Sequence, residues 1–533
     1  MPTASKDTKA NDDQQYDVIF IGSGMGSMAC ASILAQLRGM RVLMLERHFK
    51  MGGFTHVFKR EGKYHWDVGV HYIGDLHEGS MLRHLFDMIT RKRVSWNKMP
   101  SPFEKFVYPD FTFDVRDSEA QYRADLKSRF PDSAAAIDHY FEDIKSTASW
   151  FGKHVTMKSL PPAIDKIAGL LRLKGDGHAV MTTGEYMRQN IADEKLRAVL
   201  LSQWGDYGLP PATSSFVIHA LIVSHYFGGG YYPVGGSGKI AEAIKPIIEE
   251  QGGRVLLDHR VDEVIIENNT VKGVRVTEVK GRRETEKEFY APVVVSNVGA
   301  YNTYQKLVPA SVEIPFRSDL RQYERGTTNV TLYLGLKNDP RSLGFQGENY
   351  WIFDDYDHDR IFERRAELLE GKIGCLYLSF PSLKDPEASA HTAEAITFCD
   401  YEPFAQWKDQ PWLKRDEEYG RLKERITAGI LNRLETLFPG FGDLVDYAEL
   451  STPLTNEHFT GHAGGNIYGI PCTPDRFQKD WIGVRTPVKN LYLTGADASS
   501  PGVAGAMMGG FATATVLLGM GGLMRLFKEM RSA

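Results

Sequence analysis

Cysteine is scarce in this chain. Its 533 residues hold four, Cys30, Cys375, Cys399 and Cys472, far apart and without a C-x-x-C pair. That spacing excludes a disulfide framework, a thiolate zinc site and a redox-active dithiol, and fits a reducing cytoplasm best. A strong charge of one sign is also missing. The formal net charge is -5, with charged residues 25% of the chain, which argues against a general nucleic-acid binder. The opening MPTASKDTKANDDQQ is polar, so residues 1–15 read as a disordered tail with no secretory signal peptide.

Other absences narrow the chemistry. YYPVGGSGKI tempts a phosphate-loop reading, but that loop needs glycine at position 233 and Ser or Thr at 240, where this chain has Pro233 and Ile240. His219 and His225 are not spaced to put two ligands on one helix face, so they line a cavity or fill the core. His458 and His462 are i,i+4, yet Gly461, Gly464 and Gly465 argue for a loop; no metal is expected. Residues Ala498 to Met524 carry no charge and are long enough to span a bilayer, but seven glycines and Pro501 favour a buried helix starting near Gly505. No repeat of solenoid length is present.

What is present is a pair of glycine-rich segments at opposite ends. In YDVIFIGSGMGS, the apolar run Val18 to Ile21 reads as a buried parallel strand, followed by Gly22, Gly24 and Gly26 and a small-residue helix from Ser27 to Leu37. Glycine permits a tight turn and close approach of a pyrophosphate, and the helix N-terminus offers free N–H groups. The third glycine of the strict fingerprint would fall at position 27, where Ser27 is small enough to be tolerated. A second strand, Arg41 to Leu45, ends at Glu46, where a carboxylate is expected for the adenosine ribose, with Arg47 beside it. Strand, turn, helix, strand and acid in register predict a dinucleotide site. The glycine pair Gly52 and Gly53 is more than a nicotinamide site needs.

The stretch ERHFKMGGFTHVFKREGKYHWDVGVHYIGD resembles the FAD-binding start of the phytoene desaturase and retinol saturase flavoproteins, part of the glutathione-reductase-like and amine-oxidase-like group. It matches GG-x-x-H and D-x-G-x-HYIG through Gly52, Gly53, His56, Asp67, Gly69, His71, Tyr72 and Gly74, the retinol saturase branch being nearest. Many relatives carry arginine after the glycine pair; this chain has Phe54. The segment from Tyr231 to Val276 resembles the family's middle return to the nucleotide domain, which implies adenine contact at Val261, and Ala291 to Ala300 resembles the strand leading out again.

The resemblance implies an α/β fold: a glutathione-reductase-like FAD-binding domain with a Rossmann-type parallel sheet, interleaved with a substrate domain of mixed sheet and helices. The expected division gives 16–85, 230–310 and 485–533 to the FAD domain, and 86–229, mostly helical, and 311–484, richer in strands, to the substrate domain. FAD is the implied cofactor. In LYLTGADASSPGVAGAMMGG, Gly495 opens a turn, Asp497 can accept from a ribityl hydroxyl, and the helix begun by Gly502, Gly505 and Ala506 aims its N–H groups at the flavin. Tyr468 and Gly469 are expected to cover it.

No second strand-plus-fingerprint unit exists, so electrons are expected to pass to or from an external carrier rather than a dedicated NAD(P)H domain. Hydride transfer at flavin N5 needs a partner for the proton; His71, Tyr72 and His56 are the acid–base candidates. The expected reaction is desaturation, saturation or isomerisation of a long hydrophobic molecule such as a carotenoid, retinoid or unsaturated fatty acyl chain. An amine-oxidase-type flavoenzyme and a non-catalytic FAD-binding lipid carrier are the alternatives. Ser159 to Gly175 and the tail GLMRLFKEMRSA mix apolar residues with Lys and Arg, as ordinary amphipathic helices or peripheral membrane contacts do.

Overall fold

The computed structural model describes residues 15–159, 177–281, 283–519 and 521–532. Nearly all of the polar tail, and of the amphipathic stretch Ser159 to Gly175, lies outside the described residues.

Four consecutive apolar residues with no polar face require cover on both sides, and Val18–Ile21 finds it at the centre of a five-stranded parallel sheet. The order is Leu491–Leu493, Val293–Ser296, Val18–Ile21, Val42–Leu45, Arg254–Leu256, every pairing parallel. Alternation along the strands divides the side chains. Val18, Phe20, Val42 and Met44 pack toward helices, whereas Ile19, Ile21, Leu43 and Leu45 pack with Val261, Val264 and Val274 of an antiparallel three-stranded sheet.

On the helical face, Met25–Arg38 meets Gly502–Leu518 at backbone distance. A Cβ on Gly510 would lie 2.4 Å from the Gly26 carbonyl oxygen, and one on Gly26 would lie 2.5 Å from Gly495 Cα. The C-terminal helix begins at Gly502 rather than Gly505, directly after an extended Pro501, and Gly502 enters it with φ +81°, which favours glycine. Among the described residues no helix is long and apolar enough to cross a membrane. The tail helix Gly522–Ser532 buries Leu526 and Met530 against the same core.

The other sheet has seven strands, in the order Val445–Ser451, Thr328–Leu336, His391–Cys399, Cys375–Ser379, Asn349–Phe353, Glu104–Val107, Thr112–Val115. Neighbours are antiparallel except Asn349–Phe353 with Glu104–Val107. Those last two strands come from the segment read as mostly helical. They are only four residues each, too short to compete with the helical periodicity around them. The helices there include Ala134–Ser159 and Phe216–His225, which pack together.

Candidate active site

The turn after Val18–Ile21 is held by Glu46. Its carboxylate accepts from Ser23 N at 2.9 Å, Ser23 Oγ at 2.7 Å and His48 N at 2.8 Å. Ser23 Oγ in turn accepts from Gly52 N at 2.9 Å, so one serine joins the first turn, the second strand and the glycine pair. Gly52 has φ +126°, a conformation closed to side-chain-bearing residues. Burial pushes the Glu46 carboxyl up, the Ser23 and His48 hydrogen bonds oppose that shift, and burial lowers the Arg47 guanidinium.

A cavity of about 500 Å³ starts at this turn. Its nucleotide end is lined by Gly22, Gly24, Glu46, Arg47, Gly52 and Gly53. Val261 lines it beside a bulge between Val261 and Glu263. Asp497, Gly502 and Ala506 line it from the C-terminal segment, and Tyr468 and Gly469 lie alongside. Two helices, Met25–Arg38 and Gly502–Leu518, begin on its wall, and neither has a side-chain cap or an acid in its first turn. Free N–H groups at two helix starts favour an electron-rich ligand at both ends. On the same wall Thr494 Oγ1 and Asn302 Oδ1 are buried without a protein partner. The glycine cradle, the acid at the second strand and these polar atoms fit a dinucleotide-sized cofactor.

Not every expected residue reaches the cavity. Gly26, Ser27, Gly495 and Gly505 lie behind its lining. Gly26 and Gly495 serve the close helix-to-turn approach, Ser27 is fully buried in the first helix, and Gly505 leaves room for the Ser500 carbonyl oxygen, which a Cβ would meet at 2.2 Å. Asp497 accepts from Ala300 N at 2.6 Å and Ile470 N at 2.8 Å, buckling two loops together.

The far end of the cavity is aromatic. The seven-stranded sheet contributes Tyr333, Trp351, Tyr377, Ile396 and Phe398, and a short helical turn, Ser202–Asp206, adds Gly205 and Asp206. A second cavity of about 330 Å³ shares His48, Phe54, His56, Tyr333 and Phe459 with the first and extends between Phe49, Trp412 and Leu413; Phe49 and Leu413 are largely solvent-exposed.

Of the acid–base candidates, His71 and His56 line the main cavity. His71 Nδ1 lies 2.7 Å from Glu394 Oε2, and Lys384 Nζ donates to the His71 carbonyl oxygen at 2.9 Å, fixing the residue from both ends. Lys384 also donates to Asn349 Oδ1 and Ser379 Oγ, and burial lowers its ammonium to about 7. His56 Nδ1 lies 2.6 Å from the Gly53 carbonyl oxygen, and burial lowers the ring. Tyr72 does not reach the cavity. Its hydroxyl lies between two carboxyl groups, 2.8 Å from Glu104 Oε1 and 2.9 Å from Asp206 Oδ2, with its ring stacked on Tyr226. Asp67 of the same motif clasps Ser237 N at 2.7 Å and Tyr232.

The remaining histidines have structural partners. His219 meets the hydroxyls of Tyr140 and Tyr207, and His225 Nε2 accepts from Gly74 N; both fill the core. His458 belongs to a helix, Pro453–Thr460, where a loop was expected, because the glycines begin only at Gly461. It stacks on Trp412, while His462 Nδ1 meets the Asn466 carbonyl oxygen. Sequence reasoning missed Asp206, Glu104, Lys384, Glu394 and the aromatic wall. The run YWIF signals a strand, but not that its aromatic residues face a cavity.

The profile of the flavin containing amine oxidoreductase family matches residues 28–518. All-trans-retinol 13,14-reductase of Danio rerio is 33% identical over 532 residues, covering 95% of this chain and 86% of that protein. Prolycopene isomerase 2 of an Oncidium hybrid cultivar, a chloroplastic protein, is 26% identical over 510 residues, 93% of this chain and 82% of its own. Among solved structures, wild-type putrescine oxidase superposes with a TM-score of 0.62 at 15% identity, covering 95% of this chain and 99% of that one, a likeness of fold. The chain therefore belongs to the flavin-containing amine oxidoreductases, as an FAD-dependent oxidoreductase of the group that includes retinol 13,14-reductases and prolycopene isomerases.

Proposed function

We propose that this protein acts on carbon–carbon double bonds of a long polyene, a retinoid or carotenoid, by saturation, desaturation or isomerisation. The observation that carries the reading is a single cavity running from an uncapped, glycine-lined dinucleotide cradle to a chamber walled by Trp351, Tyr377 and Phe398. Flat aromatic walls match a conjugated chain, which has extensive apolar surface to bury and few polar groups to satisfy. The similarity to retinol 13,14-reductases and prolycopene isomerases supports the same substrate class.

FAD supplies hydride exchange at N5 when bound. In this reading Gly22, Gly24, Glu46, Arg47, Gly52 and Gly53 hold its adenosine and diphosphate, Val261 meets the adenine, and Asp497, Gly502 and Ala506 hold the ribityl and ring end. His71, braced by Glu394, forms the wall between cofactor and substrate. The FAD domain is assembled from 16–85, 230–310 and 485–533, and the substrate domain from the two insertions. Electrons come through an external carrier. The polyene enters past Phe49 and Leu413, which rest against an apolar surface such as a membrane face.

The test is anaerobic incubation of the reduced, FAD-loaded protein with all-trans-retinol and with prolycopene. The expected result is flavin reoxidation with a product two daltons heavier, or, with the flavin still reduced, an isomer of unchanged mass. Hydrogen peroxide formed when amines are added in air to the oxidised, FAD-loaded protein, with both polyenes unchanged in the anaerobic incubation, would establish the amine-oxidase alternative instead.

A further inference from the structure

Tyr72 Oη stands within hydrogen-bond distance of two carboxyl oxygens, Glu104 Oε1 and Asp206 Oδ2. A phenol has one hydrogen and can donate to one of them; the other contact is a hydrogen bond only if that carboxyl is itself protonated and donates to the phenol oxygen. The two acids therefore share a proton. Glu104 is fully buried and receives N–H donors on both oxygens, Trp351 Nε1 on Oε1 at 3.0 Å and Gln203 Nε2 on Oε2 at 2.7 Å. Burial raises Glu104 to about 7, and the three donors directed at it, from Tyr72, Gln203 and Trp351, oppose that shift and favour its carboxylate. The shared proton then rests on Asp206, which lines the cavity, while Glu104 does not.

We propose that Asp206 is the proton donor and acceptor for the substrate carbon next to the one that exchanges hydride, that Glu104 is the positioning residue whose charge keeps it protonated between turnovers, and that Tyr72 is the positioning residue that bridges the two acids. The proposal rests on the polyene reading above. In the saturating direction, as hydride reaches one carbon of the double bond, the Asp206 O–H bond breaks and a C–H bond forms at the neighbouring carbon. Asp206 is left as a carboxylate. The two electrons come from reduced flavin, which an external two-electron carrier reduces again, and a solvent proton restores Asp206. Tyr72 serves both states, donating to Glu104 while Asp206 is protonated and rotating to donate to Asp206 once it is charged. Desaturation is the reverse.

Placement supports the role. Asp206 ends the turn Ser202–Asp206, whose backbone lies flat on Trp351: a Cβ at Gly205 would sit 2.1 Å from Trp351 Cη2. The acid is therefore seated on the aromatic wall. Burial raises the Asp206 carboxyl well above the ordinary range, and the Glu104 charge raises it further. The titratable groups around the pair are Tyr226 and Tyr377, stacked on Tyr72, then Tyr122, Tyr207 and Tyr468, and Lys384, whose ammonium is 6.0 Å from the Tyr72 ring centroid. None of the tyrosines replaces Asp206 as an acid near neutral pH, because burial moves each phenol upward.

The experiment uses the FAD-loaded full chain with all-trans-retinol, comparing wild type with Asp206→Asn and Tyr72→Phe. Infrared spectroscopy of the protein without substrate should show the carbonyl stretch of a protonated carboxylic acid, sensitive to deuterium exchange and lost in Asp206→Asn. Asp206→Asn should keep the flavin spectrum and retinol affinity but slow single-turnover flavin reoxidation about 10²–10⁴-fold. Tyr72→Phe should shift the infrared band and move the basic limb of the pH–rate profile to higher pH, because the hydrogen bond that stabilises the Asp206 carboxylate is lost. Turnover of Asp206→Asn at the wild-type rate, or a protonated-acid band untouched by both variants, overturns the proposal. Should Asp206→Asn fail to fold, the Tyr72→Phe band and profile decide. Wild-type protein inert toward every polyene would instead overturn the substrate reading, while the infrared band still reports whether Asp206 holds the proton.

Discussion

The Glu46 carboxylate holds Ser23 twice, through its backbone N–H at 2.9 Å and its hydroxyl at 2.7 Å. Hydrogen bonds to a buried charged group contribute about 1.5–3 kcal/mol each. Glu46→Ala removes both, frees the first glycine turn and should weaken FAD retention about tenfold or more. Flavin released on gel filtration, measured by absorbance, checks this; Asp497→Ala should act in the same direction through the loops at Ala300 and Ile470. Unchanged affinity in both variants would mean that the cofactor residues are misassigned.

Gly510→Ala tests the helix contact. Its new methyl would fall 2.4 Å from the Gly26 carbonyl oxygen and 2.9 Å from Ala29 Cβ, so the two helices must separate. Overpacking of this kind costs about 1–3 kcal/mol. A lowered melting temperature with weaker FAD binding is expected, since both helices start on the cavity wall. A melting curve identical to wild type would refute the close approach.

Acid should destabilise the fold through buried histidines. Burial lowers His219 to about 3 and His225 and His358 to about 4, against 6.5 when exposed. The unfolded chain therefore takes up protons that the folded chain does not, and stability present above about pH 6.5 is lost as pH falls toward 4. Each group contributes a slope approaching about 1.4 kcal/mol per pH unit within that window. Urea midpoints measured from about pH 7.5 to about pH 5 should fall, and His219→Gln should remove one proton's share of the slope.

Phe398 offers a test of the aromatic chamber. It lines the cavity and packs on Trp204, with ring centroids 5.0 Å apart. Phe398→Ala removes apolar surface from the substrate's path, which corresponds to about a tenfold rise in KM for retinol with the flavin spectrum retained. Loss of the flavin spectrum would place Phe398 at the cofactor instead.

The nucleotide end was legible because its signals are local. Val18–Ile21, the glycines after it and Glu46 follow one another, and each residue's chemistry announces its place. The proton-handling end is assembled from distant pieces, with Glu104, Asp206 and Tyr72 meeting only when three segments pack. Tyr72 itself was nominated by its motif and faces away from the cavity. Ile73 pairs with Tyr231 in an extended segment, and adjacent residues of such a segment point to opposite sides, sending His71 to the cavity and Tyr72 behind it. Lys384 was missed because a fully buried lysine contradicts ordinary composition rules; its three acceptors, from separate elements, are visible only in the fold.

The parallel sheet takes its edge strand, Leu491–Leu493, and its covering helix, Gly502–Leu518, from segments synthesised long after its central strand, Val18–Ile21. A ribosome finishes the opening strand and glycine turn long before Gly510 exists to close over Gly26. The nascent protein thus carries an open cradle until Gly502–Leu518 has emerged, and tight capture of flavin waits for that helix to close.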